Sequence, residues 1–89
     1  MKGIVTVLGR DSVGIIAKIC SYMADRNVNV LDIAQTIVDG YFNMMMVVDL
    51  SGSTAPLTSM SSELETLGRD IGVVVRLQHE DIFNAMHRI

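Results

Sequence analysis

A short polar loop near the amino terminus holds the side chains that are best placed to do chemistry. It reads Gly9-Arg10-Asp11-Ser12-Val13-Gly14. The spacing of apolar residues then changes to that of a helix, which is predicted to begin at about Ser12 or Val13. The first turn of a helix leaves backbone N–H groups unpaired and carries a partial positive charge, so a carboxylate can bind there. Gly14 would let a ligand approach the backbone closely.

One polar side chain of the loop could bind the ammonium group of a zwitterion, because the Asp11 carboxylate can accept its hydrogen bonds. Together with the first turn of the helix, it suits an amino acid. The same residues also have a purely structural interpretation, in which Asp11 or Ser12 caps the helix and Gly14 allows close packing. From the residues alone, Asn29 is a polar residue at the edge of a strand.

Other chemistry has little support in the residues. The single Cys20 can form neither an intrachain disulfide nor a multi-cysteine zinc site. His79 and His87 have no obvious third metal ligand, and the methionines at 44–46 would alternate between the two faces of a strand. No spacing pairs a nucleophile with a histidine and a carboxylate. We therefore expect no metal site, no cofactor and no catalytic residue.

The composition is typical of one small globular domain. The chain has 89 residues, of which 49% are hydrophobic and 19% charged. Its net charge of −3 argues against binding to a nucleic-acid backbone. The amino terminus lacks a signal-peptide pattern, and no apolar stretch reaches the roughly 18 residues that a membrane span needs. We expect a cytoplasmic protein that binds neither nucleic acid nor membranes.

Strands and helices are predicted to alternate as βαββαβ, followed by a short helix. Gly9 is expected to end the first strand, and Asp39-Gly40 predicts a type I′ turn between the second and third, because both residues tolerate positive φ angles. The strands are expected at residues 2–8, 28–38, 41–50 and 73–78.

The two long helices have recognisable ends. The first should span about four turns, with Asp11 or Ser12 as its cap and Asn27 at its close. The second should begin near Pro56, which suits a first turn, and end between residues 68 and 72. The buried side of the first helix is expected to consist of Val13, Ile16, Ala17, Cys20, Met23 and Ala24.

This order of elements predicts a ferredoxin-like α+β sandwich in one domain, residues 1–89. Right-handed split βαβ units give an antiparallel sheet in the strand order 4-1-3-2, with both long helices on one face. The core should lie in residues 2–78 and the short C-terminal helix in residues 80–89. Fold alone does not select a function, because this architecture serves enzymes, metal carriers, RNA binders and sensors.

For most of those functions, this sequence lacks the residues that are required. A copper carrier needs a Cys-x-x-Cys pair, which is absent. An RNA-binding sheet needs exposed aromatic residues on its central strands, and only Tyr41 and Phe42 are available, at the edge of one strand. An acylphosphatase-like enzyme could use Arg10, although Asp11 beside it would repel a phosphate. That enzyme is the least favoured alternative.

The loop at residues 9–14 resembles a family signature. Gly9, Asp11 and Gly14, followed by Ile15 and Ile16, are similar to the G-x-D-x-x-G-hydrophobic pattern of the ACT domain, a regulatory module of amino-acid metabolism. The resemblance covers residues 2–78 and is closest to single-domain ACT proteins similar to one half of the glycine cleavage system repressor. Two other segments share the family pattern, Asn27-Val28-Asn29-Val30 and Asp39-Gly40-Tyr41-Phe42.

The resemblance implies a non-catalytic regulatory domain that binds a small amino acid or related metabolite between two subunits and acts on a further protein partner. Many family members have Arg-Pro in place of Ser12-Val13, so this loop should be less rigid. The alternative is an interaction and dimerisation module without a ligand. The implied ligand contacts are Asp11, Ser12, Val13, Gly14 and Ile15 of one chain and Asn29 of its partner.

The third strand independently favours a homodimer. Met44 and Met46 should point to one face of the sheet and Met45 and Val47 to the other, so both faces are apolar. The two long helices can cover only one of them. A symmetric dimer is expected to cover part of this methionine-rich face or the outer strand.

Overall fold

The computed structural model describes residues 1–10 and 14–86, apart from the side chain of Met86. The order βαββαβ plus a C-terminal helix is confirmed, although residues 87–89 of the predicted last helix lie outside the described part. The elements are β1 (Lys2–Arg10), α1 (Ile15–Asp25), β2 (Asn29–Val38), β3 (Tyr41–Asp49), α2 (Leu57–Ile71), β4 (Val73–His79) and α3 (Glu80–Met86).

The four strands form one antiparallel sheet in the order β2-β3-β1-β4. This is the predicted order 4-1-3-2, counted from the opposite edge. The prediction that Gly9 ends the first strand is wrong, because Gly9 is paired with both Phe42 and Val73 and β1 continues to Arg10. Gly9 is required by close contact between strands, since a Cβ atom at this position would overlap the Val73 side chain.

The hairpin between β2 and β3 has the predicted turn. Asp39 and Gly40 have φ angles of 51° and 80°, as a type I′ turn requires, and Val38 is paired with Tyr41 on either side of it. The turn sets the register of the pair up to an irregularity between Val30 and Asp32.

Helices α1 and α2 cover one face of the sheet, and the core lies between. Met44 and Met46 are buried in this core, whereas Met45 is 43% exposed on the other side, which confirms the predicted alternation. We call this second, uncovered side the open face; Thr6, Leu8 and Met45 belong to it, because these strand residues alternate with buried ones. No helix in the described ranges is long and apolar enough to cross a membrane.

Helix α1 differs from its prediction at the amino-terminal end. It begins at Ile15 and has 11 residues, about three turns, with Gly14 as its N-cap residue. The prediction that Asp11 or Ser12 occupies the cap position is therefore wrong. Gly14 has φ 86° and ψ 4°, a left-handed conformation that glycine adopts readily.

The buried side of α1 is also rotated relative to the prediction. Its fully buried residues are Ile15, Ile19 and Met23, which lie four residues apart along one side of the helix. Of the six residues predicted to be buried, Met23 is buried, Ile16 and Cys20 are half-buried, Ala17 and Ala24 are exposed, and Val13 lies outside the described part.

The close of α1 confirms the role predicted for Asn27. Its φ angle is 58°, and its N–H donates to the Ala24 carbonyl at 3.1 Å. The N–H of Val28 donates to the Met23 carbonyl at 2.9 Å, so two of the last carbonyls of the helix are satisfied. This tight turn leads directly into β2.

The exposed sides of α1 and α2 are joined by a polar cluster of Tyr22, Arg26 and Glu63. The Tyr22 hydroxyl donates to Glu63 Oε1, and Arg26 Nε donates to the same oxygen at 3.0 Å. The Arg26 guanidinium carbon lies 3.7 Å from the centre of the Tyr22 ring. Burial and the Glu63 hydrogen bond raise the pKa of Tyr22 from 10.0 to about 12.

This cluster predicts alkaline behaviour that can be measured. Because the folded-state pKa of Tyr22 lies above the unfolded value of 10.0, its stabilising contribution is complete below pH 10 and is lost as the pH rises through about 12. In a Tyr41→Phe variant, ultraviolet absorbance should report Tyr22 titrating at about pH 12. Adding Glu63→Gln should lower that midpoint. An unchanged midpoint would contradict a role of Glu63 in the pKa shift of Tyr22.

Candidate ligand-binding site

The amino-terminal end of α1 is the centre of the candidate site. Its N-cap residue, Gly14, is exposed, and no side chain of the described residues hydrogen-bonds to the N–H groups of the first turn. Apart from its chain neighbours, no described residue has an atom within 4 Å of where a Cβ atom on Gly14 would lie. The Gly14 carbonyl accepts a hydrogen bond from the Lys18 N–H at 3.0 Å, which holds it in the helix. This arrangement suits an anionic group.

The side chain of Ile15 is not available to this site. Ile15 as a whole is 2% exposed, and its side chain belongs to the core between the sheet and the helices. The remaining predicted contacts in the loop, Asp11, Ser12 and Val13, lie outside the described residues. Their assignment to a ligand therefore stays a prediction.

Asn29 lies far from Gly14 within one chain. It is exposed at the start of β2 and is paired with Asp49 at the end of β3. The whole of α1 separates Gly14 from Asn29 in the sequence and spans about 16 Å, with each residue beyond a different end of the helix. One chain therefore does not bring the two predicted halves of the site together.

β2 is an edge strand with an unusually apolar surface. Ile33 and Ile37 are 41% and 64% exposed, and Val38 is 60% exposed. Asp32 is the single charged residue of β2, which contains neither lysine nor proline. Edge strands usually carry such residues because they prevent unwanted pairing with other strands. The edge of β2 is therefore available to a strand from another chain.

The sequence analysis did not identify Ile33 and Ile37 as exposed residues. A signal was present, because the segment from Val28 to Val38 contains six Val, Leu or Ile residues without strict alternation. Such a pattern indicates a strand with apolar side chains on both faces, which here occurs at an edge and not in the centre of the sheet.

Metal-ligating residues form no cluster in the ranges that the structure describes. No three His, Cys, Asp or Glu side chains there are close enough to hold one ion. His79 instead has a local role, since its Nδ1 accepts a hydrogen bond from the Asp81 N–H at 3.1 Å at the start of α3. His87 lies outside the described residues.

Comparison with known proteins gives consistent matches over almost the whole chain. The ACT domain family model matches residues 3–78. A UPF0237 protein of Bifidobacterium longum is 58% identical over 88 residues, which cover 99% of this chain and 98% of that protein. An ACT domain protein from Streptococcus pneumoniae has a similar solved structure, with a TM-score of 0.83, 39% identity and 98% of each chain covered.

A more distant structure shows the same fold. A protein described as a glycine cleavage system transcriptional repressor superposes with a TM-score of 0.71 at 19% identity, over 89% of this chain and 47% of that one. The predicted similarity to one half of such a repressor is thus confirmed at the level of fold. The ACT family model matches residues 3–78, and these relatives align with the chain over almost their whole length. The chain therefore belongs to the ACT domain family.

Proposed function

We propose that this chain is a non-catalytic regulatory module of the cytoplasm that binds a small amino acid or a related metabolite at a homodimer interface. ACT domains are regulatory ligand-binding modules, and membership of this family supports the regulatory role. The observation that carries the proposal is the first turn of α1, where Gly14 is the N-cap residue and no side chain of the described residues caps the helix.

A dimer through β2 would join the two halves of the site. β2 runs from Asn29, which lies in one cross-strand row with Asp49, to Val38, which lies in one cross-strand row with Tyr41 and Arg10. Antiparallel pairing of two β2 strands around a two-fold axis would place Asn29 of one chain at the Arg10 end of its partner. The loop at residues 11–13 follows Arg10 directly, so Asn29 would approach the partner's loop.

The chemistry of these groups selects a zwitterion. The ligand carboxylate would bind the N–H groups at the start of α1, where the helix dipole is favourable. Its ammonium group would bind the Asp11 carboxylate, and the partner's Asn29 amide would hydrogen-bond to either end. The proposed function assigns no catalytic residue to this chain. Binding of the ligand at the interface would therefore act through a second protein.

A thermal-shift screen against the twenty amino acids and common metabolites tests this proposal. A ligand present at 100 times its dissociation constant should stabilise the folded state by about 2.7 kcal/mol, which is a shift of several degrees in a domain of this size. No shift with any compound would contradict ligand binding and favour the interaction module without a ligand. The exposed apolar residues of β2 would suit that second function equally well.

Two substitutions should then locate the ligand. Asn29→Ala removes the amide, and Gly14→Asn places a side chain in the ligand's space while tolerating the positive φ angle. Each is expected to weaken binding by about tenfold or more, because a hydrogen bond to a charged group is lost or blocked. Asn84→Ala, which removes an exposed amide from α3, is the matched control and should bind normally. Equal binding by all three variants would place the ligand elsewhere.

A further inference from the structure

The open face of the sheet contains a depression that the proposed amino-acid site does not use. Helix α3 packs over one end of this face, where Ile4 is only 7% exposed. Next to α3, the face has a depression with a volume of about 680 Å³, and Phe83 of α3 is one of its lining residues. Sites for small molecules commonly have volumes of about 300–1,000 Å³. The depression therefore has the size of a ligand site.

Cross-strand pairing defines the floor of the depression. Thr6 is directly opposite Met45 on one side and Arg76 on the other. The next row on the same face has Leu8 between Asn43 and Val74, and residues that are opposite one another in a sheet point to the same side.

The floor is mainly apolar and is accessible to a ligand. The exposed fractions of Leu8, Met45 and Val74 are 48%, 43% and 57%. Such side chains on adjacent strands form one continuous surface, because neighbouring strands are about 4.8 Å apart. An apolar molecule placed there would remove all three side chains from water, which is favourable.

Arg76 is the one charged side chain among the described residues that line the depression. It is exposed, and within the described ranges it forms no ion pair and no hydrogen bond through its side chain. The described lining contains no aspartate or glutamate. A carboxylate would therefore find a guanidinium with unused donors at the side of an apolar floor, which is the pairing that arginine makes best.

We propose that this depression binds a small amphipathic carboxylate, with its carboxylate on Arg76 and its apolar body on Leu8, Met45 and Val74. An amino acid fits this place less well, because no described acidic side chain is present to receive the ammonium group. A second copy stacked on the open face around a two-fold axis through the depression would bring two Arg76 side chains close together, where like charges repel.

A pair of probes that differ only in charge tests this inference. We would titrate the full chain, labelled with ¹⁵N, with 4-phenylbutyrate and separately with its neutral amide, 4-phenylbutanamide. The carboxylate should shift the amide resonances of Thr6, Leu8, Met45 and Arg76 and leave those of Gly14 and Asn29 in place. The amide should bind at least about tenfold more weakly, because its charge-assisted hydrogen bonds to Arg76 are lost. Neither probe has an ammonium group, so a failure here leaves the amino-acid screen unaffected.

Three variants complete the test. Arg76→Gln should reduce the affinity for 4-phenylbutyrate about tenfold and abolish the preference for the carboxylate. Leu8→Gln should weaken the binding of both probes by the same factor, because it removes part of the apolar floor. Lys18→Gln, on the helical side of the molecule, removes the same charge and should bind like the parent chain. Equal affinity for the two probes, resonance shifts confined to Gly14 and Asn29, or self-association through the open face would each overturn the proposal.

Discussion

Replacing Ile33 with lysine is expected to convert the proposed homodimer into folded monomers. Ile33 lies near the middle of β2, which runs from Asn29 to Val38, so it would be close to the two-fold axis of two antiparallel β2 strands. The substitution would therefore place two ammonium groups near each other in an interface core, where charges are strongly disfavoured. The dimer dissociation constant should rise by roughly 30-fold or more.

Sedimentation equilibrium over a range of protein concentrations would measure this effect. Ile33 is already 41% exposed in one chain, so the monomer should keep its fold and its circular dichroism spectrum. Val74→Lys is the control, because Val74 is 57% exposed on β4, at the opposite edge of the sheet. A dimer that survives Ile33→Lys but not Val74→Lys would show that the interface lies at the β4 edge or on the open face.

Leu64→Ala is expected to cause a large loss of stability. The Leu64 side chain is 0% exposed and lies in the core, where α2 meets the sheet. Removing a buried leucine costs about 2–5 kcal/mol, because the transfer energy is lost and a cavity remains. A domain of this length has a total stability of about 4–13 kcal/mol, so the variant should be marginally folded.

Urea unfolding followed by circular dichroism, at one fixed protein concentration, would give the difference in free energy of unfolding. Leu67→Ala is the matched control, since Leu67 lies on the same helix but is only half-buried. Leu64→Met keeps most of the volume and should cost less than about 1.5 kcal/mol. If Leu67→Ala lowered the free energy of unfolding as much as Leu64→Ala, α2 would not pack on the sheet through the side that contains Leu64.

Much of the architecture follows from local patterns in the sequence. Asp39-Gly40 predicts its turn because few residue pairs tolerate two consecutive positive φ angles. The boundaries of α2 lie close to those predicted, with Gly72, at φ 81°, at one end; at the other, Pro56 is the N-cap residue and does not lie in the first turn as predicted. Once these elements are in order, handedness rules leave few topologies, and the predicted strand order is confirmed.

Helix α1 shows where local patterns are insufficient. Ser12 is a good capping residue, so propensity alone favoured a start two or three residues too early. The structure instead begins the helix after Gly14, which places Ile15, Ile19 and Met23 against the sheet. Because Gly14 has a left-handed conformation, with φ 86°, the regular helix does not extend back through it, and capping propensity alone gives no sign of that conformation.

For the candidate sites too, some features follow from the sequence and others only from the tertiary structure. By itself the sequence determined the order of elements and the resemblance to the ACT family, since these depend on residues close together in the chain. Only the tertiary structure showed that Gly14 and Asn29 lie apart in one chain, that β2 is an exposed edge, and that Arg76 lies in one cross-strand row with Thr6 and Met45. These facts depend on strand register and on which face the helices cover, and both are set by contacts between residues distant in the sequence.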